Sequence, residues 1–84
     1  MKDTLHPLSD AKPGDIVQVQ SFSDSKLSLK LMEMGFLPGT TMKLDREAPL
    51  GCPVVVSIGE DYHLSLRKSE AQTVLVKLLK EAEV

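Results

Sequence analysis

The side chains in this sequence that could ligate a metal are His6, Cys52, Glu60, Asp61 and His63, together with other scattered carboxylates. Iron and zinc sites need several such donors converging, usually at spacings such as Cys-x-x-Cys or His-x-x-x-His. No such spacing occurs. Asp61-x-His63 places two donors on the same outer face of a strand, so the candidate ligands are Cys52, Asp61 and His63. Two donors without a third seldom hold an ion, and the competing reading is a solvated histidine on a hairpin.

Cys52 is also the only thiol. As a nucleophile it would need a base and a lowered pKa, but it sits in a turn between Pro49 and Pro53 with no helix N-terminus or cation beside it. The chain carries no Gly-x-Ser-x-Gly, no glycine-rich phosphate loop and no His-Glu-x-x-His. An arginine supplied in trans to a nucleotide-hydrolysing partner needs an exposed loop tip, whereas Arg46 and Arg67 both fall in expected strands. The sequence predicts no enzyme and no resident cofactor.

Composition narrows the class further. The 84 residues are 42% apolar and 26% charged, ordinary for a globular chain and long enough for one small core. With two Phe, one Tyr and no Trp, that core must be aliphatic. A lone cysteine permits no intrachain disulfide and suits a reducing cytoplasm. The net charge of −2 and the single adjacent basic pair, Arg67-Lys68, leave no footprint for nucleic acid. The N-terminus lacks the apolar centre of a signal peptide. No apolar run approaches the roughly 18–20 residues that cross a bilayer, so no membrane insertion is expected.

Two dense turns punctuate the centre, Met34 to Thr40 and Ala48 to Pro53, as a small β-barrel punctuates its corners. Before them, Leu8–Lys12 reads as one helical turn capped by Ser9 and closed by Pro13-Gly14. A strand from Asp15 to Ser21 turns Val17 and Val19 inward. After the corners, Thr40–Ala48 points Met42, Leu44 and the stem of Arg46 inward, and Pro53–Ile58 does so with Val54, Val56 and Ile58. Gly59-Glu60-Asp61 makes a hairpin. Tyr62–Arg67 then carries Tyr62, Leu64 and Leu66 inward. Lys68–Ala71 suits a helical turn, Thr73–Leu78 a last strand with Val74 and Val76 inward, and Lys80–Val84 a frayed tail. The expected fold is mainly β: a small SH3-like barrel of about five strands with one helix inserted after the first strand.

That helix has an N-cap candidate in Ser23-Asp24-Ser25, runs about ten residues to Met34, and ends at Gly35 in the left-handed C′ position. At about 100° per residue it shows two apolar stripes, with Leu27, Leu31 and Met34 on one side and Leu29 and Met32 nearly opposite. A small barrel covers one stripe. The second, if neighbouring loops do not cover it, is a docking face together with Phe36 and Leu37. Candidate partner-binding residues are therefore Leu29, Leu31, Met32, Phe36 and Leu37.

Taken in order, these residues resemble the ferrous-iron transport protein A (FeoA) family. The pattern comprises Leu8 with Pro13-Gly14-Asp15, a helix running into Met34-Gly35-Phe36-Leu37-Pro38-Gly39-Thr40, Arg46 to Val54, Leu64-Ser65-Leu66-Arg67, Glu70-Ala71, and Val74 with Val76. The resemblance covers residues 8–78, the expected core of one domain spanning 1–84. It implies a cytosolic, SH3-like accessory module of bacterial ferrous iron uptake. The implied partner is a membrane transporter with a cytosolic GTP-binding domain, which would hold the module peripherally at the inner membrane. Similar domains end iron-dependent repressors, but no DNA-binding segment precedes this one. Cys52 stands where the family usually has an acidic residue.

Two further readings are expectations of different kinds. One is a ferrous-iron sensor or chaperone that binds the ion through His63 with Asp61 or Cys52. The other is weak self-association through the second helix stripe.

Overall fold

The computed structural model describes residues 4–47 and 53–81. Within them the elements are β1 (Leu5–Pro7), a 3-10 turn (Leu8–Asp10), β2 (Ile16–Phe22), α1 (Ser25–Met34), β3 (Thr41–Glu47), β4 (Val54–Ile58), β5 (Tyr62–Leu66), α2 (Lys68–Ala71) and β6 (Val74–Lys80). The strands form one antiparallel sheet in the order β1-β6-β2-β3-β4-β5. The fold is mainly β and SH3-like, with α1 as its one substantial helix.

The count is six strands rather than about five, so α1 follows the second strand. The extra one, β1, contains a proline and only three residues. It exists because β6 offers it an edge, with Leu5 opposite Lys77 and Pro7 opposite Leu75. Edge positions are where a strand tolerates proline. For the same reason β6 runs on to Lys80, into the segment expected to fray, where Lys80 pairs with Ile16. Ser9 is not a cap: the 3-10 turn is preceded by Pro7, and no side chain caps it.

Two Pro-Gly turns of one design close the β2–β3 ladder at its ends. In the first, the Asp15 N–H donates to Lys12 O at 2.9 Å. In the second, the Thr40 N–H donates to Leu37 O, also at 2.9 Å. Proline holds the second position and glycine the third, with φ of 95° at Gly14 and 93° at Gly39, as a type II turn requires. The Gly14 N–H then donates to Leu44 O and the Gly39 N–H to Val19 O, each at 2.7 Å. Each turn is thereby stitched to the strand it faces.

The core is aliphatic apart from Phe36. Leu8, Val17, Val19, Leu31, Met42, Leu44, Val54, Val56, Leu66, Ala71, Val74 and Val76 join it in one buried cluster. Ile58 and Leu64 pack only partly against it. Tyr62 is 51% exposed, so the inward placement expected of it does not occur: β5 is an outer strand of the sheet, and the Tyr62 hydroxyl reaches Met34 O at the end of α1. Ala48 to Cys52, the second corner, lies outside the described residues, as does the side chain of Arg46.

Candidate functional site

Asp24 starts α1 by accepting from the N–H groups of Lys26 and Leu27 at 2.8 and 3.2 Å, which satisfies two of the helix's otherwise unpaired donors. Gly35 ends it at φ 117°. Its N–H donates to Met32 O at 3.1 Å, and the Phe36 N–H reaches back to Leu31 O at 3.0 Å. That pair of bonds is the Schellman motif, which folds the residue after the glycine against the last turn.

The motif decides which apolar residues face the core. Leu31 and Phe36, both read from sequence as partner-binding candidates, are fully buried and cannot touch a partner in this fold. Leu29 is 68% exposed and Leu37 51% exposed, while Met32 is half-buried. Leu29 and Met32 lie three residues apart and so share a helix face. Leu27 and Met34 pack partly against the core cluster. The covered stripe is therefore Leu27, Leu31 and Met34, and the second stripe is uncovered at Leu29.

Two side-chain contacts from the sheet and α2 hold α1 in place. Tyr62 donates its hydroxyl to Met34 O at 3.1 Å, close to Gly35, where an added Cβ would stand 3.5 Å from the Tyr62 ring and 3.6 Å from Leu64. Lys30 donates to Glu70 Oε2 at 2.8 Å, and Glu70 Oε1 accepts from the Arg67 N–H at 2.8 Å. These two bonds, the Lys30 one foremost, hold the Glu70 carboxyl below its ordinary range.

The candidate ligands do not assemble. Asp61 sits exposed in the turn before β5 and Cys52 is outside the described residues. The carboxylate partner of His63 is Asp45, with Nδ1 at 2.9 Å from Oδ2. Asp45 Oδ1 also accepts from Ser57 Oγ at 3.0 Å. A β-bulge between Leu44 and Arg46 makes Asp45 the residue without a partner on β4, and bulges re-aim side chains in this way. Ser57 and His63 are themselves cross-strand neighbours. Ser57 is bonded to the carboxylate and not to the imidazole, so the trio lacks the nucleophile–base contact of a catalytic triad. Among the described residues no three His, Cys, Asp or Glu side chains are grouped to hold a metal, and one imidazole does not fit a resident ion. No sequence signal marked Asp45, because a bulge has no local signature here.

Among the described residues no helix is long and apolar enough to cross a membrane. A family model described as the FeoA domain matches residues 6–78. No curated protein matches. Among solved structures, a FeoA-like protein from Clostridium acetobutylicum is 34% identical with a TM-score of 0.85, the match covering 100% of this chain and 96% of that one. FeoA of Stenotrophomonas maltophilia, complexed with zinc, is 30% identical with a TM-score of 0.67, covering 82% and 86%. It is described as a prokaryotic SH3 domain protein and a candidate ferrous iron transport activating factor. A manganese-dependent transcriptional repressor shares the fold at 18% identity and a TM-score of 0.81, with 93% of this chain and 43% of that one covered.

Proposed function

The chain belongs to the FeoA domain family, and from that footing we propose that it is a non-enzymatic accessory module of bacterial ferrous iron uptake. It acts in the cytoplasm as a single folded unit by docking on the membrane ferrous iron transporter, on the cytosolic side where that protein binds GTP. The carrying observation is the uncovered stripe of α1: Leu29 is 68% exposed while Leu31, nearly opposite on the helix, is fully buried. Leu29, Met32 and Leu37 are the contact residues, and Leu31 and Phe36 support them from below.

Burying one such side chain contributes about 1.5–3 kcal/mol, so this patch suits a transient complex more than a permanent one. Polar anchors frame it. The Lys30–Glu70 pair and the Tyr62–Met34 bond keep α1 in a fixed pose before any partner arrives, which lowers the ordering cost of binding.

The test is a titration of isotope-labelled protein with the transporter's cytosolic domains, with and without a GTP analogue. Amide shifts at Leu29, Met32 and Leu37 are expected, and Leu29→Glu should remove them. If those resonances stay in place under both conditions, the proposal is wrong. The reading in which the module binds ferrous iron itself lacks a converging donor set among the described residues, and an anaerobic ferrous titration checks it. Sedimentation at several concentrations checks whether a second copy covers α1 instead.

A further inference from the structure

A groove of about 560 Å³ opens at the start of β2, away from α1, which follows its other end. That volume lies within the range of ligand and peptide pockets. Its floor is aliphatic, formed by Val17, Val76 and Leu78, and Ala11 and Pro13 extend the apolar wall. Val17 and Val76 are buried in the core, so the accessible floor is Leu78, at 37% exposure.

The rim is acidic. Asp10, Asp15 and Glu81 stand around the groove against one lysine, Lys12, with His6 at the β1 side. Asp15 is buried and takes part in the Pro-Gly turn, accepting the Lys12 N–H at 2.9 Å. Asp10 and Glu81 are exposed, and neither forms a salt bridge among the described residues.

We propose that this groove is a docking site for a short extended peptide segment carrying an aliphatic side chain next to lysine or arginine. The aliphatic group would sit on Leu78, Ala11 and Pro13, above the buried Val17 and Val76, and the cation against Asp10 and Glu81. Charge complementarity selects the class. Phosphate groups and acidic segments meet like charge at the rim, and a bare metal ion gains nothing from an apolar floor. No residue of α1 lines the groove, so one partner could use both surfaces or different partners could use each.

The experiment titrates the labelled protein with the capped peptide Lys-Leu-Lys-Leu. Lys-Gly-Lys-Gly and Glu-Leu-Glu-Leu serve as controls. Saturable shifts are expected at the amides of Val17, Val76 and Leu78, with α1 unmoved. Asp10→Asn combined with Glu81→Gln should weaken binding roughly two- to fivefold, and added salt should weaken it further. Both substitutions are at exposed positions, and the variant's spectrum reports whether it is folded. Absence of saturation at millimolar peptide overturns the proposal. So does equal binding of either control peptide, or shifts confined to α1.

Discussion

The Phe36 N–H donates to the Leu31 carbonyl at 3.0 Å, and both side chains are completely buried. The bond past the end of α1 joins two residues that the core buries, and Leu29, nearly opposite Leu31 on the helix, is left outside. The buried and the exposed apolar residues of α1 lie on nearly opposite stripes, so their contributions can be separated by substitution.

Leu31→Ala should destabilise the fold by about 2–5 kcal/mol, as other buried truncations do, whereas Leu29→Glu should change stability by no more than about 0.5 kcal/mol. Urea unfolding followed by circular dichroism measures both. Only the Leu29 variant is then informative about partner binding, because it arrives at the assay folded.

Gly35→Ala tests the Schellman closure. The position has φ 117°, where a Cβ is strained even though its nearest neighbours lie at ordinary contact distances of 3.5 Å or more. A loss of roughly 1–2 kcal/mol is expected. Amide exchange should be faster at Phe36, whose N–H depends on that closure.

Glu70 predicts an acid-sensitive tether. Its carboxyl is held below the ordinary value of 4.5 first by Lys30 and then by the Arg67 N–H. A depressed folded-state pKa contributes stability that is present above the unfolded value and is lost as pH falls through the folded one. Wild-type stability should therefore decline as pH drops below about 4.5. Glu70→Gln should show lower stability at pH 7 and a shallower acid limb. Urea midpoints measured from neutral pH downward decide it.

Tyr62→Phe deletes one partly exposed hydrogen bond to Met34 and should cost about 0.5–1.5 kcal/mol or less. The chemical shifts of Met34 and Gly35 should move while those of Asp24 at the other end of α1 do not. A change spread along the whole helix would show that Tyr62 positions all of α1 instead of its last turn.

The Asp45–His63 pair is surface chemistry, with the His63 side chain 58% exposed. His63→Gln should alter stability by about 1 kcal/mol at most. Ferrous or zinc affinity should be unchanged by that substitution, as isothermal titration of both proteins would show, because a single imidazole does not make a site.

The sequence by itself determined the parts of this protein whose causes are local. Pro13-Gly14 and Pro38-Gly39 favour turns, Ser23-Asp24-Ser25 and Gly35 bracket a helix of this length, and alternation places Val17, Val19, Met42, Leu44, Val54, Val56, Val74 and Val76 on one face. Those signals, in order, also sufficed for the family. Tertiary structure alone decided what depends on pairing between distant segments. β1 forms because β6 supplies hydrogen bonds to a three-residue strand with little strand character of its own. Lys30 meets Glu70 across 40 residues and Asp45 meets His63 across 18. The choice between the two stripes of α1 was open in the sequence because both are apolar. It was settled by where the sheet could receive Phe36 and Leu31 together, since burial is a property of the assembled surfaces and not of either helix face alone.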